Sequence, residues 1–184
     1  QGHYEVVGTD VNQAAIELAK LKCPDGTFLV ADVTQHPPSL MMIPPVVRRR
    51  QDDGFDFCVL QLLLSIVGGP SERRSTLQNA FSLLRPGRGT LYLSCSGVSA
   101  EINSNYERLY DQDKGATGED YSYFSRDDNT GRILYTTHHF SIEEVEGLLE
   151  SVGFSAIHIE EHKEASSRRP DEAAYFLYAT AVRP

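Results

Sequence analysis

The sequence predicts an α/β fold, a doubly wound, mostly parallel sheet that ends in an antiparallel strand pair. Three observations predict it. Short apolar runs rich in β-branched residues alternate with segments of helical periodicity, the order expected of a sheet with helices on both faces. Each of the first runs ends in a polar residue and leads on toward the next element. The last two runs are joined only by the polar stretch HKEASSRRPDE. A parallel crossover needs a dozen or more residues, usually a helix, so this final pair is expected to be antiparallel. The 184 residues form one expected domain, 1–184, long enough to bury a sizeable core.

Taken in order, Tyr4–Gly8 is apolar and β-branched and reads as a buried strand. Asn12–Leu21 carries Ala15, Ile16, Leu18 and Ala19 on one helical face, with Asn12 placed to cap the first turn. Thr27–Ala31 is a second short strand, ending at Asp32. Residues 34–54 hold Pro37, Pro38, Pro44 and Pro45 and the run Arg48-Arg49-Arg50. The prolines prevent a long regular element, and the arginine run reads as a solvated loop. Phe55–Leu60 is a third strand. Ser71–Leu84 is helical, with Leu77, Ala80, Phe81 and Leu84 on one face and Pro86-Gly87 as its stop. Thr90–Ser94 is a fourth strand. The segment 97–139 is polar and aromatic, with Tyr106, Tyr110, Tyr121, Tyr123, Phe124 and Tyr135. Ser141 and Glu144 form a capping-box signature for a helix that runs to Val152, and Gly153 terminates it. Ala156–Glu161 and Ala174–Val182 are the closing strands.

Composition narrows the function classes. A formal net charge of −9 argues against a sequence-independent grip on nucleic-acid phosphates, which needs a basic face. No apolar stretch approaches the roughly 20 residues that span a bilayer. Cys23, Cys58 and Cys95 are odd in number and form no C-x-x-C pair, so neither a disulfide framework nor a zinc site is expected. A reducing intracellular compartment, cytoplasmic or organellar, fits that usage. No metal ligand set is expected.

Open α/β sheets bind ligands at the carboxyl ends of their strands. Asp10 stands at such an end, where an acidic group can accept hydrogen bonds from both ribose hydroxyls of a nucleotide; the alternative is a helix N-terminal charge favoured by the dipole. Asp32 follows the next strand, where its carboxylate can accept from an adenine amine while Val33 offers its N–H and an apolar side chain packs on the ring. Gln61 follows FDFCVL, where a ligand approaches the sheet, or is simply a satisfied polar residue at a strand end.

Four stretches together resemble the class I S-adenosylmethionine-dependent methyltransferases, a Rossmann-like family: YEVVGTDVNQAAIELAK, TFLVADVT, FDFCVLQLLLSIV and LQNAFSLLRPGRGTLYLS. The last is the most specific, since the family's fifth strand commonly follows a helix that ends in Leu-Arg-Pro-Gly-Gly; here Arg88 stands at the second glycine. HHFSIEEVEGLLESVGF and the final hairpin are similar to the family's last helix and strand pair. The resemblance implies S-adenosyl-L-methionine as cofactor. Asp10 would hold the ribose, with Val11 beside it, and Asp32 and Val33 the adenine. Gln61 and Leu62 would lie near the methionine end. Residues 97–139 would form a substrate lid, in which Tyr106, Tyr110, Tyr123 and Tyr135 line an aromatic site or simply pack. His138 or His139 would serve as a base, or as a structural pair at a helix entry.

The family's first strand and its G-x-G-x-G loop have no counterpart here, since Gly68-Gly69 and Gly87-x-Gly89 lie in the wrong places. That strand lies mid-sheet, and each buried backbone group left unpaired costs about 1–3 kcal/mol. The natural polypeptide is therefore expected to be longer at its N-terminus, or a partner chain completes the sheet. The expected function is methyl transfer to a small-molecule or protein acceptor. The rival is a non-catalytic methyltransferase-like subunit that acts as scaffold or assembly factor. A nicotinamide dehydrogenase, which shares the ribose-binding acid, is disfavoured by the LRPG turn and the terminal hairpin.

Overall fold

The computed structural model describes residues 4–35, 54–166 and 171–184. The expectations for the proline-rich stretch and the arginine run fall almost wholly outside these residues. The first elements are strand β1 (Val7–Asp10), helix α1 (Gln13–Lys22) and strand β2 (Thr27–Val30). Strand β3 (Phe57–Gln61), a 3-10 turn (Leu64–Ile66), helix α2 (Pro70–Leu83) and strand β4 (Thr90–Ser96) follow. Helix α3 (Ser104–Thr117) and strands β5 (Ser122–Arg126) and β6 (Ile133–His138) come next, then helix α4 (Ile142–Val152) and strands β7 (Ser155–Ala165) and β8 (Ala173–Val182).

The first strand begins three residues later than the apolar run suggests. Tyr4 and Val6 are exposed, and the ladder is set by β2, which pairs Val7 with Thr27 and Asp10 with Val30 in parallel. Asn12 caps α1 as expected, its side chain accepting the Ala14 and Ala15 N–H groups. Strands β3 and β4 are parallel, with Gln61 opposite Ser94. Strand β8 lies antiparallel between β4 and β7, as the short connection requires.

The strand order leaves two sheet pieces, β1-β2 and β3-β4-β8-β7. Among the described residues no strand lies between β1 and β3, which is the place of the strand missing from the sequence. One face of the four-stranded piece is covered by helices α2 and α4. There Leu77, Ala80 and Leu84 of α2 and Val145 and Leu149 of α4 pack on Leu91, Leu93 and Cys95 of β4 and Leu177, Ala179 and Ala181 of β8. On the other face Ala174 and Phe176 are covered by Tyr106 and Tyr110, while Phe57, Val59, Tyr92 and Tyr178 stand exposed.

Two turns show why the chain bends where it does. After α2, Gly87 adopts φ +81°, a left-handed conformation that favours glycine. Arg88 occupies the family's second glycine position, and the steric demand passes to Gly89: a Cβ there would lie 2.6 Å from the Arg85 nitrogen. At the start of α4, Ser141 Oγ accepts the Glu144 N–H at 3.2 Å. The Glu144 side chain does not complete the capping box; it turns to His138. Cys95 is buried and Cys58 half-buried, and burial pushes the Cys58 thiol up to about 11, so both are packing thiols.

The polar segment 97–139 is structured throughout. Asn103 caps α3, Gly118 ends it in a left-handed conformation, and β5 pairs antiparallel with β6. The segment rests on the sheet through Tyr106 and Tyr110, which pack with Ala174 and Phe176 of β8. An isolated bridge between Gly97 and Phe140 closes its base.

Candidate active site

The carboxyl ends of the strands carry the residues singled out in the sequence. Asp10 ends β1 exposed to solvent. Its Oδ1 accepts the Asn12 N–H at 2.8 Å, which fixes the strand-to-helix turn, and no contact of its second oxygen is seen among the described residues. Asp10 pairs with Val30, and Asp32 lies two residues beyond, roughly 7 Å further along the adjacent strand direction. Asp32 Oδ1 accepts both the Thr34 hydroxyl at 2.7 Å and the Thr34 N–H at 2.9 Å. These bonds hold its carboxyl below the usual carboxylate range, so it is ionised at neutral pH. The Val33 carbonyl accepts from Asn79 of α2 at 2.6 Å, tying this loop to the rest of the molecule. Val11 is exposed beside Asp10.

Gln61 is exposed at the tip of β3. Leu62 then takes φ +53°, a left-handed conformation that costs a branched side chain on the order of 1–3 kcal/mol. Its N–H donates to the Ser94 carbonyl at 2.9 Å, and its side chain packs toward Tyr106 and Tyr110. Backbone strain of this kind concentrates at functional sites.

Beyond Leu62 lies a cavity of about 480 Å³ between the sheet and the 97–139 segment. Leu62, Ser65, Tyr106, Tyr123, Tyr135 and His139 contribute to its wall. Three of the four expected tyrosines thus share one cavity, while Tyr110 stands behind it with its hydroxyl 2.6 Å from His139 Nδ1. His139 is buried and ringed by Tyr106, Tyr110 and Tyr123 at centroid distances of 4.7, 5.7 and 5.4 Å. Burial, then the charge of neighbouring His138, lowers its pKa to about 3.

His138 faces a different set of partners. Its Nδ1 lies 2.7 Å from Ser122 Oγ and its Nε2 2.9 Å from Glu144 Oε1. With both ring nitrogens engaged, this residue fastens the segment to α4 and keeps no lone pair for a substrate proton. Glu144 also lies 3.9 Å from Arg73, a buried arginine on α2 whose Nη2 contacts both Glu119 oxygens at 2.6 and 2.5 Å. Ser122, His138, Glu144, Arg73 and Glu119 therefore make one polar chain joining the segment to α2 and α4. Arg73 was not among the expected site residues. Its signal is its place four residues before Leu77, on the apolar stripe of the helix. A second anchor pairs Asp113 of α3 with Arg126 of β5 through two bonds of 2.7 Å. The arginine, chiefly, holds the Asp113 carboxyl below the usual range.

Among the described residues no group of three or more His, Cys, Asp or Glu side chains is placed to hold a metal. No helix among them is long and apolar enough to cross a membrane. The Asp10 and Asp32 carboxylates each use one oxygen in their own turn, and a carboxylate oxygen is of the kind that accepts from a ribose hydroxyl or an adenine amine. The described residues offer no glycine-rich loop for the amino-acid end of such a cofactor.

No protein-family model matches the sequence, and no curated protein matches it. Solved structures do. The chain is similar to an S-adenosylmethionine-dependent methyltransferase from Methanosarcina mazei, at 26% identity and a TM-score of 0.79, over 97% of this chain and 82% of that one. It is similar to the N-methyltransferase NodS of Bradyrhizobium japonicum in complex with S-adenosyl-L-homocysteine, at 17% identity and a TM-score of 0.54, over 98% of this chain and 67% of that one. It is also similar to phosphoethanolamine N-methyltransferase 2 of Haemonchus contortus in complex with S-adenosyl-L-methionine, at 12% identity and a TM-score of 0.61, over 98% of this chain and 43% of that one. The split sheet, the terminal hairpin and these likenesses agree: the chain has the class I S-adenosylmethionine-dependent methyltransferase fold, without the family's first strand among its described residues.

Proposed function

We propose that the protein is an S-adenosylmethionine-dependent methyltransferase acting on a small molecule or a protein side chain. The observation that carries this reading is that Asp10 ends one strand and Asp32 follows, two residues on, the end of its parallel neighbour. Asp10 accepts from the ribose hydroxyls beside Val11. Asp32 and Val33 hold the adenine. Gln61 and the strained Leu62 lie near the cofactor's methionine end, and Leu62 also lines the cavity.

When bound, S-adenosyl-L-methionine supplies an electrophilic methyl: the acceptor's lone pair forms the new bond as the carbon–sulfur pair returns to sulfur. The chain's own part is alignment and exclusion of water. Tyr106, Tyr123 and Tyr135 give the acceptor an aromatic wall, and the anchors at Arg73 and Asp113 keep the segment over it.

Calorimetric titration with S-adenosyl-L-homocysteine tests the reading. Removing a carboxylate that accepts from ligand hydroxyls costs roughly 1.5–3 kcal/mol, so Asp10→Ala should weaken binding by about 10- to 100-fold. Tight binding that is indifferent to Asp10→Ala and Asp32→Ala would contradict the assignment. Absence of binding by the unaltered protein would leave the scaffold role as the better account.

A further inference from the structure

The cavity between the sheet and the 97–139 segment is left with charge of one sign. Among the described residues two charged side chains line it, Arg126 and Asp128. Arg126 is already committed. Its two terminal nitrogens donate to the two oxygens of buried Asp113 at 2.7 Å, a bidentate pair whose charges offset each other. Asp128 lies exposed in the turn between β5 and β6, and no partner of its carboxylate is seen among the described residues. The wall thus carries one uncompensated negative charge and no uncommitted cation. His139 adds no opposing charge, because burial, then the charge of His138, keeps its ring neutral at neutral pH.

Aromatic surface is the second feature. Tyr106, Tyr123 and Tyr135 line the same space. The Tyr106 and Tyr123 rings stand 6.1 Å apart at 49°, and they are inclined to the His139 ring at 59° and 81°. These three rings form a corner rather than a stack. Tyr135 joins them from β6, where it pairs with Ser125 of β5. A cation within about 6 Å of a tyrosine face is attracted by the ring quadrupole, more strongly where water is excluded. Tyr106 is 6% exposed, so its part of the wall is of that kind. Gln112 adds an amide oxygen, an acceptor for N–H hydrogens.

We infer that, within the methyltransferase reading, the acceptor is a small organic ammonium compound, its charged nitrogen held among Tyr106, Tyr123 and Tyr135 with Asp128 as counter-charge. The cavity, about 480 Å³, is of small-molecule size. An anion of the same shape meets no free counter-charge. A neutral compound of the same shape gains the packing, but neither the ring attraction nor Asp128. The net charge of −9 favours the approach of cations. The charged nitrogen is the handle by which the acceptor is held, whichever of its atoms takes the methyl.

Three probes of one shape and three charges test this: benzylammonium, benzyl alcohol and benzoate, titrated at pH 7.5 and followed by protein NMR. Benzylammonium should bind about tenfold or more tightly than the other two, and should shift the ring signals of Tyr106, Tyr123 and Tyr135. Its affinity should fall as salt is added, while that of benzyl alcohol stays flat. Asp128→Asn should weaken benzylammonium about two- to fivefold and leave benzyl alcohol unchanged. Tyr123→Leu, which keeps apolar bulk and removes the ring, should weaken benzylammonium about threefold more than benzyl alcohol. Circular dichroism checks the fold of that variant; if it is unfolded, the exposed Asp128→Asn carries the test. Equal or tighter binding of benzyl alcohol or benzoate overturns the inference, as does benzylammonium binding that is indifferent to Asp128→Asn. If S-adenosyl-L-homocysteine binds and the three probes do not differ, the acceptor assignment fails and the methyltransferase reading stands. If benzylammonium is preferred and S-adenosyl-L-homocysteine does not bind, the cation site stands and the cofactor reading falls.

Discussion

Replacing Glu119 by alanine strips the main partner from a buried cation. The Arg73 side chain is 1% exposed, and its Nη2 sits between both Glu119 oxygens. What remains after the substitution is weak: a 3.4 Å contact to the Gly68 carbonyl, Glu144 at 3.9 Å and the face of Phe140 at 5.7 Å. The Arg73 Nε already lacks a hydrogen-bond partner in the structure. Breaking one partner of a buried pair costs about 3–5 kcal/mol, because the other charge is left uncompensated. Glu119 is 21% exposed, so water reaches part of the vacated site and the lower end of that range applies, about 3 kcal/mol. For a domain of this size each kcal/mol shifts Tm by roughly 2–4 °C, giving a fall of about 6–12 °C. Thermal unfolding followed by near- and far-ultraviolet circular dichroism measures it. The double variant Arg73→Met/Glu119→Ala, which removes the stranded charge, should recover much of the loss. A Glu119→Ala protein that melts within about 1 °C of the parent would refute the reasoning, as would a double variant less stable than the single one.

Two further outcomes follow from the same structure. With the folded His139 near 3 and the unfolded ring at its ordinary 6.5, the unfolded chain alone takes up a proton between those values. Its contribution to stability is complete above pH 6.5 and is lost as pH falls toward 3; from pH 6.5 to 5 the loss is roughly 1.6 kcal/mol, read from urea midpoints, and His139→Gln should flatten the dependence. At the turn after α2, Gly89→Ala should destabilise by more than 1 kcal/mol because its Cβ would strike the Arg85 backbone, whereas Arg88→Gly should change stability by less than about 0.5 kcal/mol; comparable effects at the two positions would contradict the assignment of the steric demand to Gly89.

The parts of the fold that were legible in the sequence are those with aliphatic periodicity. Leu77, Ala80 and Leu84 mark α2, the Ser141 cap and Gly153 bracket α4, and the absence of a crossover segment makes β7 and β8 antiparallel. The first strand was misplaced because its limits are set by hydrogen bonding to Thr27–Val30, not by where the apolar run starts. The 97–139 segment gave no readable elements. Its inner surface is built from tyrosine rings, serine and threonine hydroxyls and the Asp113–Arg126 pair, and such residues look the same in a sequence whether they face water or one another. The strands that lead to Asp10 and Asp32 were legible because a short apolar run closed by an acid is a local pattern. The differing partners of His138 and His139 were not: adjacent residues at the end of β6 face opposite sides, one toward Ser122 and Glu144, the other toward the tyrosines.

The polar chain from Ser122 to Glu119 has a mechanical consequence. It grips the start of the β5–β6 hairpin, and the Gly97–Phe140 bridge pins the chain just past its end, so both legs are clamped at the root. The far end, around Asp128–Leu134, has exposed side chains and is braced chiefly by its own turn. The outer end is therefore the part of the chamber wall that is free to flex, like a reed fixed at its base, while the root stays still.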